Sequence, residues 1–363
     1  MSALPAGTNT AADVEAVEEI MRRGGPALRE RMTRMEAHLE SVTAEAGVPL
    51  AEHATATVVA GGKRLRPLLV LLAAEAAGGT GDEPEREQSL VRAAVAVELV
   101  HSATLVHDDL IDGAQLRRGR PTVAAVAGRE VAIGTGDLLF SRAFAELARN
   151  RDAEQLGALS DASSALAAGE LLQREDAYAP DIAVERYLER CRLKTAALFE
   201  AACRLGALVA VEGTTALAAA LGEFAKGIGL AFQLLDDVLD VSGPAQRTGK
   251  ARGTDLLDGT VTLPLILARQ RDEQIARLDL ATLAAPEHRD GYPPSRGAGS
   301  LSDGQKQAEA LCERIAATGA LDEARQRALS IVADAKAALP ALLPDGRHEL
   351  LDLVADAVVE RYC

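Results

Sequence analysis

The sequence predicts a single all-α domain made of long helices, and three observations lead to that fold class. Hydrophobic residues make up 48% of the 363 residues, which is ample for a large core. Aromatic residues make up only 2%, and alanine, leucine and valine dominate instead, a mixture that favours helices over strands. No alternation of apolar and polar residues is long enough to indicate a strand.

Helical periodicity divides the chain into segments separated by breaks rich in glycine and proline. Residues 1–12 have the composition of a disordered tail, and residues 284–302, rich in Gly, Pro and Ser, predict a long exposed loop. No linker splits the rest, so residues 13–363 are expected to form one domain. The predicted helices span residues 13–46, 49–60, 65–77, 85–112, 137–149, 153–173, 181–208, 214–241, 259–275, 305–316, 320–337 and 346–361.

Charge and cysteine content narrow the possible partners and compartments. The formal net charge of −15 argues against nucleic acid as a partner, and an anionic substrate would need a compact basic island. The N-terminus does not read as a signal peptide, and the longest near-apolar run, Leu68 to Ala74, is far shorter than a membrane span. We therefore expect a cytoplasmic protein with no integral membrane segment. Free thiols are expected at Cys191, Cys203, Cys312 and Cys363, whose spacing fits no zinc site.

Two copies of one acidic motif carry most of the chemical information. The first is DDLID (108–112) and the second is DDVLD (236–240), each inside an apolar, helix-compatible segment. Residues four apart share a helix face, so Asp108 pairs with Asp112, and Asp236 with Asp240. Like charges at that spacing repel, and Mg²⁺ removes the repulsion by binding one or two carboxylates plus substrate phosphates. Two such helices facing each other predict a cage for several Mg²⁺ ions and a diphosphate.

Basic residues flank the first acidic motif on both sides. Arg117, Arg118 and Gly119 follow it, and the guanidinium fork suits phosphate oxygens, although an isolated RRG tripeptide is usually a solvated turn. Upstream, GGKRLRP (61–67) places glycines and basic side chains just before a helix start. That arrangement suits an anion, and the alternative is a basic helix cap. The Walker A frame is absent.

Further candidates are weak when each is taken alone. His101 lies two turns before the first acidic motif on the same face, so it is either structural or in contact with the substrate. Lys194 and Thr195 lie inside a helical run, where a lysine without a partner is costly. Gln233 precedes the second acidic motif by one turn, and Lys250 opens the loop after it.

Taken together, these residues resemble the trans-isoprenyl diphosphate synthases, the polyprenyl synthetase family. The resemblance covers roughly residues 20–362. It implies an isoprenoid-synthase-type helical bundle around a deep central cavity, usually a homodimer, that condenses isopentenyl diphosphate head-to-tail with an allylic diphosphate. The segments that carry it are GGKRLRP (61–67), ELVHSATLVHDDLIDGAQLRRGRPT (98–122), LKTAALF (193–199), FQLLDDVLD (232–240), GKARGTDLLDGTVTLP (249–264), ATGALDEA (317–324) and VVERY (358–362).

The resemblance also implies roles for individual residues. Two Mg²⁺ ions would be held by Asp108 and Asp112 and a third by Asp236, with Asp109, Asp237 and Asp240 in support, through water or through neighbouring contacts. Lys194 is counted with these carboxylates as catalytic. The residues expected to contact the allylic substrate or its diphosphate are Arg117, Lys194, Thr195, Gln233 and Lys250. The residues expected to hold isopentenyl diphosphate are Lys63, Arg66, His101 and Arg118.

Two further features bear on substrate and product. Similar sequences carry lysine after the glycine of the DLxxGK segment, but Thr260 follows Gly259 here, so one cation near the diphosphate is missing or supplied from elsewhere. The helix leading into Asp108 should line the tail pocket, and the small residues Ala103 and Thr104 predict a product of C20 or longer. On this basis, replacing Ala103 with phenylalanine should shorten the product.

Two alternatives remain open. A class I terpene cyclase also uses an aspartate-rich helix and Mg²⁺, but such sequences usually lack the GGKRLRP and RRG elements that are present here. A non-catalytic subunit of a heteromeric prenyl synthase would be expected to lose one acidic motif or the arginine pair, and this chain has both.

Overall fold

The described part of the chain is helical almost throughout. In a computed structural model, the described residues are 11–44, 50–117, 119–243, 252–283, 303–343 and 346–360. Within them the only strands are β1 (Leu116–Arg117) and β2 (Arg120–Pro121), which pair antiparallel with Arg117 opposite Arg120. The predicted all-α class is confirmed.

The N-terminal half contains the helix that ends in the first acidic motif. The predicted helix 13–46 is two helices, because the chain breaks where Gly25 has φ 75° and where a Cβ on Gly24 would lie 2.3 Å from Leu28. The helices are α1 (Ala11–Arg23), α2 (Gly25–Ala44), α3 (Leu50–Val59), α4 (Leu65–Ala76), α5 (Pro84–Ile111), α6 (Val123–Ala127), α7 (Arg129–Ala148) and α8 (Ala153–Glu175).

The C-terminal half contains the second acidic motif in its longest helix. The helices are α9 (Val184–Cys191), a π-helical turn (Arg192–Ala196), α10 (Ala197–Val209), α11 (Thr215–Ser242), α12 (Thr254–Leu257), α13 (Leu263–Arg269), α14 (Glu273–Ala276), a 3₁₀ turn (Leu280–Thr282), α15 (Asp303–Ala317), α16 (Ala320–Leu342) and α17 (Glu349–Glu360). The predicted helix 259–275 starts later than expected, at Leu263, since Gly259 has φ +72°, and it is interrupted between Arg269 and Glu273.

The core is centred on α5, α10 and α11. Helix α5 packs against α2, α4, α7 and α10, and α11 packs against α10 and α16. Both α5 and α11 are long and apolar enough to cross a membrane by length and composition alone. However, 72% of the most apolar window of α5 and 50% of that of α11 are buried inside the bundle. Core helices pass the same test, so their composition is explained by packing.

Several expectations fall at the edges of the described residues. The predicted tail 1–12 lies mostly outside them, but Ala11 and Ala12 already belong to α1. The predicted loop 284–302 and Cys363 lie outside them altogether. Cys191, Cys203 and Cys312 are free and buried, as expected.

Candidate active site

The first acidic motif forms the C-terminal end of α5. Asp108 lies in the last turn, and Asp112 caps the helix by donating its N–H to the Asp108 carbonyl (2.8 Å). Asp109 turns the other way and is buried, with 6% of its surface exposed. Its Oδ1 accepts from Nε of Arg117 (2.7 Å), which the short β1–β2 hairpin brings back towards the helix. Asp109 therefore anchors Arg117 beside the motif, and Arg118 lies outside the described residues.

A chain of ion pairs joins this motif to α8 and to the π-helical turn. Arg174 on α8 pairs with Asp112 Oδ1 and donates from Nε to Glu170 Oε1 (3.1 Å). Glu170 Oε2 in turn pairs with Nζ of Lys194. Lys194 thus has the partner that an interior lysine requires, and that partner is an acid on the neighbouring helix.

The charges around Asp108 favour the binding of an added cation. Burial raises the pKa of Asp108 to about 6, with the charges of Glu170 and Asp112 adding to the rise, although Lys194 and Arg117 oppose it. Burial also acts to raise the pKa of Glu170, but the charges and hydrogen bonds of Lys194 and Arg174 hold it below its ordinary value. Asp108 is therefore a half-buried carboxylate whose negative charge Lys194 and Arg117 offset only in part.

Consecutive side chains of the π-helical turn contact two different helices, Lys194 contacting α8 and Thr195 contacting α11. It packs against α8 on one side and α11 on the other. A Cβ on Gly169 of α8 would lie 2.5 Å from the backbone nitrogen of Lys194, and a Cβ on Gly229 of α11 would lie 2.8 Å from Cα of Ala196. The two glycines therefore permit a backbone approach that other residues would block. Single π-helical turns of this kind occur frequently at functional sites.

The second acidic motif is fixed by a buried hydrogen-bond network. The Thr195 hydroxyl donates to Gln233 Oε1 (2.7 Å), and Gln233 Nε2 donates to Asp237 Oδ1 (2.8 Å). The other Asp237 oxygen accepts from the hydroxyl of Tyr187 (2.6 Å), whose side chain is fully buried. Burial raises the pKa of Asp237 to about 8, helped by Asp255 and opposed by these hydrogen bonds. Both oxygens of Asp237 accept hydrogen bonds from protein groups. This network therefore fixes α11, which also carries Asp236 and Asp240.

The other two aspartates of that motif face differently. Asp236 is exposed, whereas Asp240 is half-buried. The Asp240 carboxylate accepts the N–H of Asp255 (3.3 Å), and its carbonyl accepts the N–H of Gly253 (2.9 Å). Asp236 is thus the member presented at the surface of α11. Lys250, expected in the following loop, lies outside the described residues.

The basic segment at the start of α4 is held by contacts with α5 and α10. Arg64 adopts the left-handed conformation (φ 49°) as the N-cap of α4, and its guanidinium pairs with buried Glu98 (2.6 Å). The guanidinium of Arg66 lies 4.7 Å from the ring centroid of buried Phe199 on α10. Lys63 and His101 are half-buried. Arg64 therefore anchors the turn that leads from Lys63 into the start of α4, where Arg66 lies.

The two small residues expected to line the tail pocket differ in accessibility. Ala103 has no exposed surface, and neither do Val100, Ala96 and Val97 further along α5. Thr104 is half-buried, and its hydroxyl donates to the carbonyl of His101 (2.8 Å). Thr104 is therefore the more accessible of the two residues, and the expected shortening of the product by Ala103→Phe stays a prediction.

Three residues of this site were missed in the sequence. Glu170 and Arg174 are four residues apart on α8, a spacing that predicts an ion pair, but nothing in it shows which helix they face. Tyr187 lies seven residues before Lys194, hence two turns away along the same helical run. Its burial against an aspartate has no signature in the sequence.

A divalent cation fits the donor set at this site. The negative charge of Asp108 is only partly offset by Lys194 and Arg117, and Asp236 is exposed to solvent. Among the described residues, no three His, Cys, Asp or Glu side chains form a group able to hold a metal by themselves. Mg²⁺ commonly uses one or two carboxylates together with substrate phosphates, so the substrate would supply the remaining ligands.

Comparison with known proteins places the chain in a family. The family model for polyprenyl synthetases matches residues 48–290. A short chain isoprenyl diphosphate synthase from Methanothermobacter thermautotrophicus is 34% identical over 349 residues, covering 95% of this chain and 98% of the relative. Heptaprenyl diphosphate synthase component 2 from Geobacillus stearothermophilus is 40% identical over 248 residues, covering 68% of this chain and 75% of the relative.

A solved structure superposes over nearly the whole chain. It is a polyprenyl synthase from Caulobacter crescentus in complex with calcium and isoprenyl diphosphate, and it superposes with a TM-score of 0.79. The two sequences are 32% identical, and the match covers 99% of this chain and 100% of that structure. The fold, the ordered motifs and these matches agree: the chain belongs to the polyprenyl synthetase family of prenyltransferases.

Proposed function

We propose that this prenyltransferase condenses isopentenyl diphosphate head-to-tail with an allylic diphosphate to give an all-trans prenyl diphosphate of C20 or longer. The observation that carries the proposal is the π-helical turn between the two acidic motifs. Lys194 reaches towards the first motif through Glu170, and the next residue, Thr195, reaches the second through Gln233. One turn of backbone therefore sets both walls of a diphosphate site.

The metal ligands proposed are Asp108 and Asp112 on the first wall, and Asp236 with Asp240 on the second. Mg²⁺, three ions with substrate bound, would neutralise the diphosphate and favour its departure as charge develops on oxygen. The incompletely balanced charge of Asp108 and the exposure of Asp236 support this assignment. Asp109 and Asp237 instead hold Arg117 and the α11 network in place.

The remaining basic residues divide between the two substrates. Arg117, Lys194, Thr195, Gln233 and Lys250 are assigned to the allylic diphosphate, and Lys63, Arg66, His101 and Arg118 to isopentenyl diphosphate. Support for the second group comes from Arg64, whose pairing with Glu98 fixes the turn between Lys63 and the start of α4, where Arg66 lies.

The residues account for each step of the reaction. Lys194 and Arg117 stabilise the negative charge that grows on the allylic diphosphate as its C–O bond breaks. An apolar pocket would exclude water from the allylic cation that remains. The double bond of isopentenyl diphosphate attacks that cation, forming the new C–C bond. The departed diphosphate then takes the proton that restores a double bond, so no separate protein base is needed.

Incubation of the purified chain alone tests this function. Labelled isopentenyl diphosphate, Mg²⁺ and allylic primers of several lengths should give all-trans products of C20 or longer, and EDTA should abolish the incorporation. Farnesyl diphosphate as the dominant product would contradict the predicted length. Conversion of a prenyl diphosphate to a hydrocarbon without isopentenyl diphosphate would instead indicate a terpene cyclase.

Assembly and location are part of the proposal. We favour a cytoplasmic homodimer that is active without another chain, because both acidic motifs and the arginine pair are present. The relative from G. stearothermophilus is named as one component of its enzyme, which keeps a heteromer under consideration. If the chain alone incorporates no label with any primer, it is a subunit that needs a partner.

A further inference from the structure

Arg174 on α8 bridges two carboxylates at the edge of the first acidic motif. Its Nη2 pairs with Asp112, and its Nε donates to Glu170 (3.1 Å). The side chains of Arg174 and Asp112 are 41% and 42% exposed, so neither charge is locked in a dry interior. Exposed ion pairs of this kind contribute at most about 1 kcal/mol, and the guanidinium can leave at little cost.

The Arg174 pair occupies the carboxylate that a metal ion would use. Arg174 uses Oδ1 of Asp112, and a divalent cation bound to the same carboxylate would lie within a few ångströms of the guanidinium. Two positive charges at that distance repel each other, so Arg174 and a cation compete for Asp112. The second contact of Arg174, to Glu170, keeps the displaced side chain close to the site.

We propose that Arg174 is an exchangeable counter-ion of the active site. It neutralises Asp112 in the metal-free protein, and it turns to the diphosphate of the allylic substrate when a divalent cation takes Asp112. The proposal rests on the proposed function of this site. The planar guanidinium fork is suited to this exchange, because it binds carboxylate and phosphate oxygens with the same geometry.

The position of α8 supports the diphosphate half of this exchange. Just beyond the end of α8, Tyr178 donates its N–H to the carbonyl of Gly259 (2.8 Å). A Cβ on Gly259 would lie 2.4 Å from the Tyr178 ring, so the two segments are in direct contact. Thr260 follows in the same segment and carries no charge. Arg174, four residues before Tyr178, can supply a positive charge near the segment that contains Thr260.

The test uses the substrate-free full-length chain, with MnCl₂ as the probe. Thermal unfolding at increasing MnCl₂ gives an apparent Kd, since a ligand that binds only the folded state raises its stability. Arg174→Gln should bind Mn²⁺ about three- to fivefold more tightly than wild type, because the competing cation is gone. In an Asp112→Asn background, the same substitution should change nothing.

The second arm measures inorganic pyrophosphate at saturating MnCl₂. Arg174→Gln should weaken pyrophosphate binding about tenfold, the effect of losing one charge-assisted contact. Arg325→Gln is the matched control, since Arg325 forms an exposed pair with Asp322 on α16 (3.1 Å), and it should alter neither affinity. If Arg174→Gln does not fold, Arg174→Met keeps the aliphatic stem and takes its place.

Either arm can overturn the proposal. Equal Mn²⁺ affinity in wild type and Arg174→Gln, or a gain that persists without Asp112, refutes the competition. Unchanged pyrophosphate affinity refutes the transfer to diphosphate. Neither readout requires turnover, so failure of the chain to incorporate isopentenyl diphosphate would count against the proposed function alone.

Discussion

Replacing Thr104 with phenylalanine should shorten the product. Thr104 lies four residues before Asp108, a proposed metal ligand, on the same helix face, about 6 Å away along the helix axis. One helix turn is comparable to one isoprene unit. A ring at this position would therefore obstruct the tail within its first few units, giving C15 or shorter products.

The size of the effect follows from the cost of overpacking. Forcing a tail past an added ring costs roughly 1–3 kcal/mol, which slows elongation about 5- to 150-fold. Chromatography of the products from labelled isopentenyl diphosphate measures the distribution directly. Thr104→Val is the control, because it removes the hydroxyl bonded to the His101 carbonyl without adding bulk, and it should leave chain length unchanged.

Ala103 provides the contrasting variant on the same turn. It has no exposed surface, so Ala103→Phe should also lower the free energy of unfolding by roughly 1–3 kcal/mol, measured by urea denaturation, a cost that Thr104→Phe should largely avoid. If Ala103→Phe shortens the product while Thr104→Phe does not, the tail runs along a different face of α5 and the reasoning is refuted.

Three other predictions concern the network, the missing cation and pH. Tyr187→Phe leaves an oxygen of buried Asp237 without its donor, so urea denaturation should show a loss of about 1–3 kcal/mol, and an unchanged midpoint would exclude a stabilising role. Thr260→Lys should lower the KM for the allylic substrate about three- to tenfold by adding a phosphate contact, with Thr260→Met as the uncharged control. Although burial acts against it, hydrogen bonds from Arg31 and Thr80 keep the pKa of Glu87 below its ordinary value, so its contribution to stability is present above about pH 4.3 and is lost as pH falls further. Glu87→Gln should therefore be less stable than wild type at pH 7, and the difference should shrink in acid unfolding curves below that pH.

The sequence was sufficient for features that depend on local periodicity. The long helices α5 and α11 follow from extended apolar segments, and the pairing of Asp108 with Asp112 follows from helical spacing. The need of Lys194 for a partner also followed, because an unpaired interior lysine is costly. Spacing could not identify Glu170 as that partner, because the packing of two separate helices brings them together.

Other features depend on close approach between distant segments. The π-helical turn exists where Gly169 and Gly229 let three backbones meet, and either glycine alone is unremarkable in the sequence. The late start of the predicted helix 259–275 reflects Gly259, where the Tyr178 ring lies in the space that a Cβ would fill. The different accessibility of Ala103 and Thr104 reflects how α5 is rotated against its neighbours, which periodicity leaves undetermined.

The most direct test concerns the two walls of the diphosphate site. A crystal structure with Mn²⁺ and an unreactive allylic thiodiphosphate would locate the ions by anomalous scattering. We predict Mn²⁺ bound by Asp108 and Asp112 on one wall and by Asp236 on the other, with the diphosphate between them and Lys194 in contact with it. Ions at only one acidic motif, or a diphosphate bound away from Lys194, would contradict the proposal that one π-helical turn sets both walls.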